Sequence, residues 1–415
     1  MAKGLSRRTF VKRTLTSSLS LSALSYSRVL GANDRISIGI IGCGGRGRNA
    51  HMPGIHAHYG SQNFEITAVC DPWRVAREQA ADKANGWYGR KPRTVSSYRD
   101  VMAMKDVDAV MIASCDHQHT LHLKAAAAAG KDAYCEKPLA RRMDRLNAAY
   151  DAVKKAGIVV QIGTQLRSYP SFTGCRKLYQ SGILGTVGRI EQCRNGVRPY
   201  WYSYVKPEVK AEDMDWPEFL AGEPTRPFDP VLYSGWYGYR EFSDGPVPGL
   251  ASHFLDLVHY ITGARFPSNC VCLGGTYTWD DENKFTCPDH VQALWTYPEG
   301  FMVSYSTNFG NGSGNSLKIF GDQGVMDMVE WNAPMLSAEG GSKGKGLIRG
   351  RKPVEHVVRP DHFLDWLQCM RTRKTPNASI EAGYQHAVAS IMAVKSYDTG
   401  KRMVFDEASR QILEG

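Results

Sequence analysis

No stretch of this 415-residue chain approaches the roughly eighteen consecutive apolar residues of a membrane-spanning helix, so no span is expected. The ten cysteines include no C-x-x-C pair, and no His, Cys and acid set stands at metal-ligand spacing. His117 and His119, at i and i+2, do not share a helix face, and His122 brings no acid with it. The sequence therefore points to no metal. No repeat of fixed period appears. The net charge is +10, but no long basic run carries it, so a nucleic-acid partner is not expected.

Acids are missing altogether before Asp34, while Lys3, Arg7, Arg8, Lys12, Arg13 and Arg28 all precede it. The opening Ser6-Arg7-Arg8-Thr9-Phe10-Val11-Lys12, followed by a serine-diluted apolar stretch from Leu15 to Leu30, resembles a twin-arginine export signal. Residues 1–33 are read as that signal and the protein as periplasmic. This route moves folded proteins, which suits an enzyme that takes up its cofactor in the cytoplasm. Cys43, Cys70, Cys115 and Cys135 fall on or beside apolar strands and read as small core residues. Cys270, Cys272 and Cys287 have spacings compatible with pairing outside the cytoplasm, and spacing alone does not decide it.

What the sequence does contain is a clear alternation. Strand-like runs at Ile36–Ile41, Phe64–Cys70, Ala109–Ala113, Asp132–Cys135 and Val159–Gly163 alternate with helical patterns at Arg74–Lys83, His119–Ala129 and Arg142–Ala156. That order predicts a doubly wound parallel sheet over 34–163. After Gly163 the texture changes. A connecting helix near Pro170–Ser181 precedes strands at Val187–Asn195, Val271–Tyr277, Val291–Tyr297, Phe301–Phe309 and Leu317–Phe320. Residues 164–415 are expected to form an open, mostly antiparallel sheet with helices on one face. Helices over Asp361–Arg373 and Ile380–Tyr397 pack back on the body, and Lys343–Arg351 reads as a Gly- and base-rich loop.

Gly42-Cys43-Gly44-Gly45-Arg46-Gly47 fits G-x-G-x-x-G, and it follows a strand and opens a helix, as a dinucleotide site requires. Gly42 suits the tight turn, Gly44 lets a pyrophosphate approach the backbone, and Gly47 lets helix and strand pack closely. The helix N-terminus offers free N–H groups to phosphates. Asp71 ends the second strand, 24 residues after Gly47, where an acid bonds the ribose hydroxyls of NAD and repels the 2′-phosphate of NADP. Arg46 and Arg74 lie near enough to keep NADP open, and NAD is the expected cofactor.

Joined to Asp116-His117-Gln118-His119, Glu136-Lys137-Pro138, Gly163-Thr164-Gln165 and His253-x-x-Asp256, in that order, the chain resembles the glucose–fructose oxidoreductase / inositol dehydrogenase / rhizopine-catabolism (Gfo/Idh/MocA) family from Arg35 to the C-terminus. The resemblance implies a Rossmann domain, a second sheet domain and a nicotinamide over that sheet. It implies Lys137 and His253 as catalytic residues. Gly42, Gly44, Gly45, Arg46, Gly47, Asp71, Ser114, Asp116, His119, Glu136, Lys137 and Gln165 are the candidate cofactor residues. Pro138 is expected to hold Lys137 extended at the carboxyl edge of the sheet. On the helix Gly249–Thr262, Leu250, Phe254, Leu257, Val258 and Ile261 make an apolar stripe with His253, Asp256 and Tyr260 beside it. Here the sequence lacks something the family usually has: the acid four residues before the histidine is replaced by Gly249. Tyr239, Glu241 and Asp244 are the candidates to stand in for it.

Residues 200–242 are dense in aromatics, whose flat faces suit the C–H faces of sugars or cover a sheet or subunit interface. Arg167, Arg198, Trp236, Tyr239, Arg240 and His253 are candidate substrate contacts. The function expected is hydride transfer between a sugar or polyol carbon and a tightly bound nicotinamide, in a dimer or tetramer, because little free NAD exists outside the cytoplasm. Two alternatives remain. One is a redox-neutral, NAD-dependent glycosidase of the same fold. The other is a non-catalytic sugar- or nucleotide-binding protein.

Overall fold

The computed structural model describes residues 35–342 and 348–415; the twin-arginine motif and part of the Lys343–Arg351 loop lie outside the described residues. Strands β1 (Ile36–Ile41), β2 (Phe64–Cys70), β3 (Arg93–Val95), β4 (Ala109–Ile112), β5 (Asp132–Cys135) and β6 (Val160–Ile162) form one sheet in the order β3-β2-β1-β4-β5-β6, every pair parallel. The order reverses between β1 and β4, and the ends of those strands open the crevice where such sheets bind ligands. Their runs of Ile, Val and Ala are buried because helices cover both faces. Helices Arg74–Tyr88, His119–Ala128 and Met143–Ala156 follow the expected pattern. The first and third end on left-handed glycines, Gly89 and Gly157, which close their last turns.

The second sheet has ten strands among the described residues. β7 (Val187–Cys193), β8 (Asn269–Gly275), β9 (His290–Thr296), β10 (Met302–Asn308) and β11 (Ser316–Gly321) were legible as alternating runs. β12 (Gly324–Asp327), β13 (Met335–Ser337), β14 (Arg351–Pro353), β15 (Met403–Asp406) and β16 (Gln411–Glu414) complete it in the order β14-β13-β12-β11-β7-β10-β9-β8-β15-β16. All neighbours are antiparallel except β7 and β10. The five added strands, like β3 in the first sheet, are three or four residues long and were not read from the sequence; β4–β6, equally short, were read from apolar runs within the strand–helix alternation. β9 turns into β10 through Tyr297–Gly300, with Gly300 at φ +91°.

On one face of the large sheet Cys270, Cys272, Val291, Ala293, Trp295, Val303 and Tyr305 point into the core. The helices Ser252–Thr262 and Ile380–Thr399 cover them, and the Trp295 indole donates to the Ala389 carbonyl at 2.9 Å. The histidine helix departs from the expected single stripe. Sandwiched between the sheet and two helices, it buries Phe254 through Ile261 all round, including Asp256 and His259. All ten cysteines are free thiols. No helix among the described residues is long and apolar enough to cross a membrane.

Asp256 is fully buried and meets Arg167 in a two-pronged pair, with Nε to Oδ2 at 2.8 Å and Nη2 to Oδ1 at 2.7 Å, while Nη1 donates to the Asn377 carbonyl. Removing one partner strands a charge in the core. Asp256→Ala is therefore expected to lower unfolding free energy by about 3–5 kcal/mol in urea titration. Arg167→Met with Asp256→Leu is expected to recover much of that loss.

Candidate active site

The glycine turn after β1 is built as its chemistry demands. Gly42 has φ +92°, and a Cβ there would lie 2.5 Å from the Ala113 backbone. A Cβ on Gly47 would overlap the Gly42 carbonyl oxygen. Gly44 and Gly45 differ: a Cβ on either meets nothing within 4 Å. The protein thus leaves an open cradle over the two middle glycines, above the start of a helical turn at Gly47–His51. The carboxylate of Asp71, at the end of β2, faces this turn and accepts from the backbone N–H of Cys43 at 2.7 Å and of Trp73 at 2.8 Å. Burial pushes Asp71 up to about 6, against the pull of those two N–H donors.

Glu136 follows β5 and is buried. Its Oε1 lies 2.9 Å from His51 Nε2, 3.4 Å from Arg46 Nε and 2.9 Å from Gln165 Nε2, which donates to it. Burial alone would raise the Glu136 pKa, but Arg46, His51 and Lys137 together hold it well below the usual carboxylate range. His51 was not singled out from sequence; its place one turn past the glycine motif was the available signal. A Cβ on Gly163 would lie 2.7 Å from the Glu136 carboxyl carbon, which explains the glycine in Gly163-Thr164-Gln165.

Lys137, joined to Pro138 by a cis peptide, reaches across to the second domain and donates from Nζ to the Gly249 carbonyl at 2.6 Å. Burial lowers its pKa, opposed by Glu136 and Asp116. Gly249 lies in the turn Val247–Ala251 that leads into the helix Ser252–Thr262, one turn before His253. The His253 imidazole is held well below its usual pKa, first by burial and then by the Lys137 ammonium, and its Nδ1 is buried without a hydrogen-bond partner. Glu136, bonded by Arg46 and His51 beside the glycine turn, and the Lys137–Gly249 bond thus link the glycine cradle, Lys137 and the turn before His253 at the carboxyl edge of the parallel sheet.

The loop after β4 closes the site from the other side. Asp116 accepts from the Ser243 hydroxyl at 2.9 Å, and burial lifts it to about 6 despite His119 and Lys137. Ser114 and His119 bind protein groups rather than leaving their polar atoms free. Ser114 Oγ is 3.0 Å from His122 Nδ1, and the two His119 nitrogens lie 2.8 Å from the Pro138 carbonyl and 2.9 Å from the Ser114 carbonyl. His119 therefore locks two site loops together.

The expected substrate contacts mostly have partners within the protein. Arg167 is committed to Asp256. The Tyr239 hydroxyl donates to the Asn283 carbonyl at 2.8 Å, and Arg240 pairs with Asp398 at 2.7 Å. The Arg198 guanidinium carbon lies over the Tyr202 ring at 4.0 Å and the Trp279 ring at 5.1 Å. Trp236 stacks on Tyr237. The proposed stand-ins for a carboxylate at 249 are also occupied: Asp244 is clamped by Arg141 at 2.9 Å, and Glu241 holds Arg226 at 2.6 Å. The group that does stand at Gly249 is the hydroxyl of Tyr200, a residue read from sequence only as part of the aromatic segment.

Comparison with known proteins bears on this arrangement. Residues 36–164 match the Gfo/Idh/MocA oxidoreductase family model with an NAD-binding Rossmann fold, and residues 221–405 match that family's C-terminal alpha/beta domain. Inositol 2-dehydrogenase/D-chiro-inositol 3-dehydrogenase of Shouchella clausii is 28% identical over 88% of this chain and 93% of its own length. Levoglucosan dehydrogenase of Pseudarthrobacter phenanthrenivorans is 28% identical over 57% of this chain and 53% of its own length. The chain spans about half the length of the first curated relatives it matches. A solved levoglucosan dehydrogenase in complex with NADH and levoglucosan superposes with a TM-score of 0.66 over 89% of this chain and 99% of that one, at 18% identity, a likeness of fold.

The open space over Gly44 separates binding from folding. Gly44→Val is expected to leave the melting temperature of the ligand-free protein within about 2 °C, as a surface substitution does. It is expected to weaken NADH binding more than tenfold in fluorescence titration. A stable variant that binds NADH normally would contradict the assignment of the cradle.

Proposed function

The chain belongs to the Gfo/Idh/MocA oxidoreductase family, and we propose that it is an exported, NAD-dependent oxidoreductase of a sugar or polyol that keeps its nicotinamide bound between turnovers. The observation that carries this reading is the meeting of Lys137 and His253 beside an unfilled glycine cradle. The residues fit a dinucleotide. Gly44 and Gly45 leave room for a pyrophosphate, and Asp71 presents a carboxylate where the adenosine ribose would rest. Arg74 and Arg46 are tied to Glu78 and Asp213 and to Glu136 respectively, while Arg77, which donates to the Asp71 carbonyl at 3.0 Å, stands nearer the ribose end; the Asp71 carboxylate itself is what supports NAD over NADP.

When bound, the nicotinamide accepts a hydride from a carbinol carbon and returns one to a carbonyl carbon. The rest of the chemistry falls to side chains of this chain. His253, kept neutral by burial and by Lys137, accepts the carbinol proton. The Lys137 ammonium has three donors; one holds the Gly249 carbonyl, and the others serve the substrate oxygen as its charge changes. Glu136 and Asp116 favour the charged form of that ammonium and offset part of the cost of its burial, which lowers its pKa.

Export through the twin-arginine route rests on Ser6–Lys12 and explains why the cofactor would be retained. Assembly as a dimer or tetramer is supported by the bare face of the large sheet, where Val271, Leu273, Leu294 and Met302 lie exposed on adjoining strands.

Mass spectrometry of the purified, denatured protein is expected to release NAD. Incubation with polyols, aldoses and aryl glycosides is then expected to yield an oxidised sugar. A cleaved aryl glycoside without net oxidation would replace this reading with the redox-neutral glycosidase, which the missing acid at Gly249 keeps in view. Protein that neither carries nor binds NAD(H) would end both.

A pH effect follows from Asp71. An acid whose folded pKa is raised to about 6 is protonated below that pH and ionised above it. Ribose hydroxyls bind its ionised form, so NAD affinity is expected to fall as pH drops through 6. Asp71→Asn is expected to bind more weakly at pH 7.5 and to flatten that dependence.

A further inference from the structure

A carboxylate at position 249 is not only absent; its place is taken. A Cβ built on Gly249 would come closer than 3.0 Å to the Tyr200 hydroxyl, so no side chain fits there while Tyr200 keeps its position. The ring of Tyr200 is held edge-on by Trp201, Tyr237 and Phe309, with centroids 5.2, 5.4 and 6.0 Å away. Its hydroxyl is buried and has no hydrogen-bond partner among the described residues. Buried hydroxyls are rarely left so, because the lost bond to water is not replaced. The neighbouring groups are those of the reacting site. The Gly249 carbonyl receives Lys137, and His253, with its own unpartnered Nδ1, follows one turn later. Burial, with Tyr237 and Asp116 adding to it, pushes the phenol pKa well up, so the hydroxyl keeps its proton and acts as a donor.

We propose that the Tyr200 hydroxyl is the third polar group of this site, taking the place of a carboxylate at 249 and donating a hydrogen bond to a polyol hydroxyl beside the reacting carbon. The inference rests on the reading that the Lys137–His253 cleft takes a polyol. It gives the proton balance of that reaction a definite form. As the carbinol C–H bond breaks and its hydride leaves, the O–H proton passes to His253. Tyr200 neither gains nor loses a proton, and the anion that steadies the imidazolium is the Glu136 carboxylate rather than a carboxylate at 249. The site is then neutral on the side where a carboxylate would make it negative, and it selects substrates that offer an acceptor oxygen there.

The test uses Tyr200→Phe, which keeps the ring and its packing. The full chain, loaded with NADH, is titrated calorimetrically with myo-inositol and levoglucosan as probes, and turnover is measured on the same panel. Tyr200→Phe is expected to keep its melting temperature and NADH affinity, to bind the preferred polyol about tenfold more weakly and to lose about 10–100-fold in kcat/KM. Gly249→Asp alone is expected to be poorly active because the new side chain meets the phenol. Adding Tyr200→Ala is expected to restore activity above that of either single variant. Unchanged polyol affinity and turnover in Tyr200→Phe would overturn the proposal, as would a fully active Gly249→Asp. Wild-type protein that binds a polyol without oxidising it would refute the hydride-transfer reading while the affinity loss in Tyr200→Phe still upheld Tyr200. Wild-type protein that binds neither polyol would overturn the Tyr200 contact.

Discussion

One buried carboxylate organises the site. Glu136 sits at the carboxyl end of β5 with Arg46 and His51 from the glycine turn, Gln165 from beyond β6 and the backbone N–H of Lys137 all directed at it. A carboxylate removed from water is costly unless charges and donors surround it. That requirement draws three separate segments to one point, and it explains Gly163, whose missing side chain leaves room for the carboxylate. Lys137 is then aimed away from the Rossmann domain, toward the helix that carries His253.

The two sheets divide the labour. The parallel sheet presents backbone N–H groups and an acid at its carboxyl edge, which suits a dinucleotide whatever the substrate. The second sheet supplies a covered face that buries the histidine helix on every side. Burial there has an electrostatic result: His253 and His259 are both driven toward the neutral form, yet only His253 lies beside Lys137. His259 instead shares a 2.8 Å contact with the Tyr297 hydroxyl. The contrast shows how similar histidines on one helix take unlike roles according to what faces them.

Gly249 and Tyr200 illustrate a substitution that crosses domains of sequence. A glycine in the histidine turn opens a space, and an aromatic residue from a loop some fifty positions earlier fills it with a hydroxyl. The aromatic segment is thus more than a cover. Trp201, Phe309, Phe285 and Cys287 form a small core of their own that fixes where the Tyr200 ring can lie.

By itself the sequence determined the parallel sheet and the glycine turn with Asp71, because each of these depends on short-range pattern: apolar runs, glycine spacing, a residue at a strand end; Lys137 and His253 were picked out by the family resemblance. The short strands β3 and β12–β16 escaped it, whereas the equally short β4–β6 were marked by the helical patterns beside them. The partners of charged side chains escaped it too. Arg167 and Arg240 look alike as sequence, but one is neutralised in the core by Asp256 and the other at the surface by Asp398. Only the tertiary structure decided which groups stay unpartnered in the cleft, because hydrogen-bond satisfaction depends on neighbours brought together from distant parts of the chain.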